Sequence, residues 1–325
     1  MNGRKLAMLR WLAAVGLATA CGIAAAQAYP SKPIRFLVPF AAGGIGDITA
    51  RVVAQKMSEN LGQQVLIDNR PSAGMIVTAE AALKAEPDGY TLVLTGNGTA
   101  VSASLFKSLS YNVLTDFTQV STLAFFDLLL LTGRDSKFNS LPEVLAFARS
   151  NPGKLDIGTV SIGSTQNLAA ELLKSMAGID AQIVPFKATP ALVTALRAND
   201  VQLVVEFIGP VMSQIRSNAI KALAISSNRR FPGLPGTPTV AEAGVPGYHV
   251  SSWNAVSVHA KTPRAIVERL AREVAAAVGS PDVKEKLQQL GFEARATTPE
   301  QTRELMASEI AKWKGVIERA GIERQ

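Results

Sequence analysis

Two rhythms of apolar and polar residues take turns along the chain. Ile34 to Val38 is a short, largely apolar and β-branched run stopped by Pro39 and a glycine-rich turn, the pattern of a buried strand. From Asp47 to Leu61 the apolar positions Ile48, Val52, Val53 and Met57 return at helical spacing, and Gly62 follows as a stop. The alternation continues with a strand over Gln64 to Ile67, a helix over Met75 to Ala85 closed by Pro87, Asp88 and Gly89, and a strand over Thr91 to Thr95. A second series starts after a helix over Leu141 to Arg149. It runs through a strand over Leu155 to Thr159, a helix over Thr165 to Ala177 ending at Gly178, a strand over Ala181 to Val184 and a helix over Pro190 to Ala198. Strands over Val201 to Val205 and Ile220 to Ile225 complete it. Such alternation predicts an α/β fold with mostly parallel sheets flanked by helices, and two series predict two sheets.

The tail has a different texture. Pro263 to Val278, Pro281 to Leu290 and Pro299 to Ala320 read as three helices, each with a proline near its first turn, where the missing N–H has no helical partner to lose. They are expected to pack back on the first sheet. Phe117 to Leu131 and His249 to Val258 are long and apolar enough to be strands passing between two lobes. The expected division is residues 29–126 with 251–325 as one lobe and 127–250 as the other.

The first 28 residues carry an address rather than a fold. Arg4, Lys5 and Arg10 precede an apolar run from Trp11 to Ala20, and Ala26-Gln27-Ala28 has the small-x-small pattern of a cleavage site, so export to the periplasm with cleavage before Tyr29 is expected. The run is short for a membrane span. Lipoprotein processing at Cys21 is the weaker alternative, because the Leu usual three positions before such a cysteine is absent. Cys21 is the only cysteine, so the processed chain would have none, which removes thiolate catalysis, cysteine metal sites and disulfides. Processing leaves 297 of the 325 residues, more than one core usually covers, and lowers the formal net charge from +7 to +4. No dense basic run interleaved with aromatics is present, which argues against nucleic-acid binding. His249 and His259 are the only histidines and lie outside metal-ligand spacing, so neither metal nor cofactor is expected. A G-x-S-x-G elbow is missing and neither histidine follows a catalytic pattern; an exported hydrolase is the runner-up to a binding protein.

The stretches YPSKPIRFLVPFAAGGIGD, LIDNRPSAGM, AEPDGYTLVL, VPFKATPALVTAL and PTVAEAGVPGY, in this order and spacing, resemble the Bug family of extracytoplasmic receptors, the TctC-like component of tripartite tricarboxylate transporters. The resemblance covers essentially all of the chain after the leader. It implies a Venus-flytrap fold, a cleft between two lobes, a small carboxylate ligand held by loops at strand ends and helix N-termini, and delivery to a membrane permease. A monomer that closes on its ligand is expected. Several positions depart from the family pattern. Ala42-Gly43-Gly44 replaces a Pro-Gly-Gly turn, Gln166-Asn167 a Ser-His pair, and Glu206-Phe207 an Asp-Asn pair. Ligand identity is therefore not inherited.

Candidate contacts fall at the strand ends. Between Phe40 and Asp47 the glycines Gly43, Gly44 and Gly46 let backbone amides approach an anion at a helix N-terminus, with Phe40 and Ala42 beside them. A plain tight turn ranks second and a dinucleotide loop last, because the third glycine position holds Thr49. Asp47 reads as an N-cap or as a contact to a ligand amine or hydroxyl. In the second series Ser161, Gly163, Ser164, Thr165 and Gln166 join strand to helix; Ser164 or Thr165 is a natural cap, and the remaining donors are free for a ligand. Thr95 and Asn97 belong to a turn at the same edge as the first loop, with an ordinary turn weighed equally against ligand contact. Phe186 and Phe207 read as core by base rate and as cleft wall by the resemblance. Glu206 is either scaffold or a reader of ligand polar groups.

Overall fold

The structure is a computed structural model that describes residues 29–325; the leader, its cleavage site and Cys21 lie outside the described residues. The first series forms β1 (Ile34–Val38), α1 (Ile45–Leu61), β2 (Val65–Asn69), α2 (Ile76–Leu83) and β3 (Thr91–Gly96). α1 stops at Gly62, which takes the left-handed conformation with φ 62°. A helix the sequence pattern did not announce, α3 (Asn97–Leu105), then begins directly at the end of β3. Its polar first turn, Asn97-Gly98-Thr99, has the composition of a turn, and tertiary packing on Ala100, Val101 and Leu105 decides in favour of helix.

β4 (Phe117–Gly133) is a single strand of 17 residues that runs through both sheets. The second series follows as α4 (Leu141–Ser150), β5 (Asp156–Val160), α5 (Thr165–Ala177), β6 (Gln182–Phe186), α6 (Thr189–Ala198), β7 (Leu203–Phe207), α7 (Ile208–Arg216) and β8 (Ile220–Ile225). The chain returns through β9 (Ser251–His259) and ends in α8 (Arg264–Gly279), α9 (Pro281–Gln289), β10 (Phe292–Ala294) and α10 (Pro299–Arg319). α7 and β10 were also unannounced by the pattern.

The strands line up as β2-β1-β3-β9-β4-β7-β5-β6, with β10 and β8 added on β4. β2, β1 and β3 are parallel, as are β7, β5 and β6, so each series builds its own parallel sheet. β4 joins them, pairing with β9 from Phe117 to Asp127 and with β7 from Leu128 to Leu131. The result is the two-lobed α/β architecture. In each parallel sheet the loops that leave the carboxyl ends of the strands lead into helix N-termini, which is where open α/β sheets gather ligands.

Packing follows the patterning. One apolar cluster contains Ile34, Phe36 and Val38 of β1 under Ala50, Val53 and Met57 of α1 and Leu270 and Val274 of α8. Another runs from Leu37 and Val93 through Trp253 and Trp313 to Leu168, Leu173 and Leu203. A third holds Leu192 and Leu196 of α6 against Leu129, Leu131 and Val204. Each fully buried aliphatic side chain contributes about 1.5–3 kcal/mol, which explains why the apolar face of each short strand sets its register.

Candidate ligand-binding site

The loop after β1 turns sharply at Gly43, whose φ of 84° suits a residue without a Cβ. Its amide donates to Asp47 Oδ2 at 2.8 Å. Gly44 is the N-cap and offers no side chain, which puts Asp47 at the third helical position. Asp47 is thus not the N-cap that the sequence suggested; it reaches back over the helix start. Arg51 Nε, one turn further on, donates to the same oxygen at 2.9 Å, and Asn69 Nδ2 from the end of β2 donates to Oδ1 at 2.9 Å and to the Phe40 carbonyl at 3.0 Å. Both carboxylate oxygens are occupied, so Asp47 pins loop, helix and β2 together. Burial opposes its ionisation, but the Arg51 hydrogen bond, the Gly43 amide and the Asn69 amide outweigh that, and the carboxyl lies below the ordinary aspartate value. With no side-chain cap on α1, the amides of Ile45, Gly46 and Asp47 meet no acceptor among the described residues. Three free N–H groups at the positive end of a 17-residue helix are an arrangement that favours negative charge.

The loop after β5 repeats this construction. Gly163 has φ 78°, and its amide donates to Asn167 Oδ1 at 3.1 Å, as Gly43 does to Asp47. Ser164 is the N-cap; its hydroxyl accepts from the Asn167 amide at 3.1 Å and donates to the Val160 carbonyl at 3.0 Å. Its one proton therefore goes to the backbone. Thr165 and Gln166 occupy the positions of Ile45 and Gly46. The difference is electrical: Asp47 with its Arg51 in the first loop, neutral Asn167 in the second. Arg51 and Asn69 escaped the sequence reading and Asn167 entered it only as a departure from the family pattern, although the recurrence of Gly with Asp or Asn four residues later was a visible signal.

Asn97, at the end of β3 in the first lobe, is tied to the second loop. Its Nδ2 donates to Thr165 Oγ1 at 2.9 Å, and its Oδ1 accepts from Trp313 Nε1 of α10 at 2.7 Å. Asn97 is fully buried and lies at the start of α3, so a helix start, not a free turn, carries this bridge. Thr95 is turned away: its hydroxyl lies 2.7 Å from Ser257 Oγ and 3.3 Å from Gln119 Oε1, inside the sheet, which withdraws it from the cleft. Phe40 is 42% exposed; a Cβ on Gly46 would stand 2.5 Å from its ring, so the ring lies against the first turn of α1. Ala42, Gly43, Gly44 and Ser161 are exposed at the loop tips. Ser161 donates its amide to the carbonyl of Phe186, whose half-buried ring packs on the third cluster. Phe207 packs against the first two clusters.

Glu206 is buried at the end of β7 with no basic side chain in ion-pair range among the described residues. Oε1 accepts from Gln166 Nε2 at 2.8 Å and from the Phe207 amide at 2.7 Å, and Oε2 accepts from Thr189 Oγ1 at 2.7 Å. These donors come from the first turns of α5 and α6 and the cap of α7. Glu206 thus gathers three helix starts around one carboxylate.

Residues 49–322 match the family described as tripartite tricarboxylate transporter family receptor. The chain belongs to this family. Among its relatives, the protein BugT of Bordetella pertussis is 36% identical over 320 residues, 97% of this chain and 98% of BugT. An R. palustris protein determined with adipate superposes with a TM-score of 0.76 at 33% identity, over 91% of this chain and 99% of that one. MatC from Rhodopseudomonas palustris, determined with bound malate, gives a TM-score of 0.72 at 31% identity, over 89% of this chain and 100% of MatC. These two superpositions cover the two-lobed frame described above, and the chain is a solute-binding receptor of this family.

Proposed function

We propose that this receptor works in the periplasm, closes its lobes around one small carboxylate-bearing molecule and hands it unchanged to the membrane permease of a tripartite tricarboxylate transporter. The observation that carries the reading is the uncapped N-terminus of α1, with free amides at Ile45, Gly46 and Asp47, at an edge tied to the second lobe by Asn97 and Thr165. A carboxylate there receives hydrogen bonds from backbone that is already in place, so little ordering is needed on binding. From the second lobe the loop from Ser161 to Gln166 faces the other end of the ligand, with Gln166 braced from behind by Glu206. The bending unit is the pair of strands β4 and β9, with residues 29–126 and 251–325 moving against 127–250. Adipate and malate in the two related structures support the ligand class. The protein acts as a monomer, released by cleavage before Tyr29.

The test is a thermal-shift screen of the processed chain against mono-, di- and tricarboxylates, amino acids and aromatic acids. A ligand specific for the folded state at a hundred times its Kd stabilises by about 2.7 kcal/mol. The stabilising acid should also compact the protein in X-ray scattering and be recovered intact after long incubation. No shift with any acid refutes the carboxylate reading, and protein-dependent conversion refutes the receptor-only reading.

A further inference from the structure

The floor beneath the first loop holds a polar group that the fold leaves unused. Asn254 stands in β9 opposite Gly96 of β3, one residue pair before Asn97 opens α3. Strand side chains alternate, so Asn254 shares a face with Val256, which pairs with Leu94. Val256 and Leu94 belong to the cluster that α1 covers, and a Cβ on Gly46 would come within 3.2 Å of Leu94. Asn254 therefore lies one step further along that face, towards the carboxyl end of β3. Gly96 leaves room for it: a Cβ there would stand 3.2 Å from Asn254 Oδ1 and 2.2 Å from the Trp253 carbonyl. The side chain is 6% exposed, and its Nδ2 has no hydrogen-bond partner.

A buried amide without an acceptor destabilises a fold, and replacing it with an apolar group of similar shape removes that penalty. A partner from outside the chain, a ligand or a bound water, would complete such a group. Resting on the carboxylate reading above, we infer that Asn254 is a ligand-contact residue, whose amide donates to a carboxylate oxygen held by the Ile45 and Gly46 amides. The anion then has backbone donors on one side and a side-chain donor from the interlobe strand on the other. Because β9 is one of the strands on which the lobes turn, the same contact ties occupancy of the first lobe to the interlobe strand.

The experiment compares wild-type protein with Asn254→Leu and Asn254→Ala by thermal melting without ligand and by calorimetric titration with succinate, adipate, malate and benzoate. The assignment expects ligand-free Asn254→Leu to melt at or above wild type, while affinity for the acid that binds wild type falls at least tenfold in both variants. A merely structural asparagine gives the opposite pair, a lower ligand-free melt with affinity kept. Wild-type affinity in a folded variant, or a ligand-free melt several degrees lower in both variants, overturns the assignment and leaves the carboxylate reading standing. If none of these four acids binds wild type, the titration is run with the acid that the wider screen returns, and if that screen returns none the carboxylate reading falls and the assignment with it.

Discussion

Replacing Ser164 by alanine separates scaffold from binding in the second loop. The hydroxyl caps α5 by accepting the Asn167 amide at 3.1 Å and donates its only proton to the Val160 carbonyl at 3.0 Å. Losing an N-cap of this type destabilises by about 0.5–2 kcal/mol. The Val160 carbonyl loses one donor, and a typical intramolecular hydrogen bond has a net worth of about 0.5–1.5 kcal/mol. The loss of stability should therefore fall near 1–3 kcal/mol, allowing for overlap between the two effects in one side chain. Affinity should move by less than a factor of about three, because no proton is left to offer a ligand. A hydrogen bond to a charged group is worth about 1.5–3 kcal/mol, so a Ser164 that bound carboxylate would weaken affinity by roughly ten- to a hundredfold on removal. Urea unfolding of the ligand-free variant and calorimetric titration with the stabilising acid give the two numbers. Affinity down tenfold with unfolding unchanged would refute the assignment of the hydroxyl to the scaffold.

Much of this was legible in the chain because local chemistry and global fold agree. Ile34–Val38 and Thr165–Ala177 form over the same spans that their apolar periods and glycine stops define. α3 was hidden because Asn97-Gly98-Thr99 is turn chemistry locally, and its helix is decided by contacts with α10, including Trp313 to Asn97 at 2.7 Å, 216 residues apart. α7 was hidden for a related reason: it starts immediately after β7, with no polar linker or capping side chain to mark the change. At the site, the glycines marked both loops, but which amides are free is a matter of partners. Gly43 looked like a donor to ligand, and its amide is bound to Asp47; Thr95 looked like an edge residue, and its hydroxyl belongs to Ser257 and Gln119. Alternation along a strand tells which face Asn254 takes, while its unpartnered amide emerges only when the neighbouring strands are in place.

Asp47→Asn should reveal the clamp through pH: the folded carboxyl lies below its ordinary value, so its contribution is complete above about pH 4 and lost as the pH falls through the folded value. Stability measured from neutral to strongly acid pH should show the gap between wild type and variant closing on acidification, and a gap that widens would refute the assignment. Gly46→Ala places a methyl 2.5 Å from the Phe40 ring and should swing that ring across the α1 N-terminus, weakening ligand tenfold or more with a melt within a few degrees of wild type. Thr165→Val removes the acceptor of Asn97 Nδ2, and X-ray scattering of the ligand-free protein should show a larger radius of gyration than wild type; equal dimensions would mean the bridge does not hold the lobes. Glu206 is best tested by the order of two substitutions. Gln keeps one acceptor oxygen for the Phe207 amide and Gln166, and its own amide faces Thr189, whose hydroxyl can turn from donor to acceptor, so Glu206→Gln should cost about 1 kcal/mol. Leu offers no acceptor, and Glu206→Leu orphans a backbone N–H and a side-chain amide at the start of two helices, each worth about 1–3 kcal/mol when buried. Chemical unfolding should therefore rank wild type above Gln and Gln well above Leu. Equal losses for the two variants would mean that shape and not hydrogen-bond acceptance fixes this corner of the second lobe.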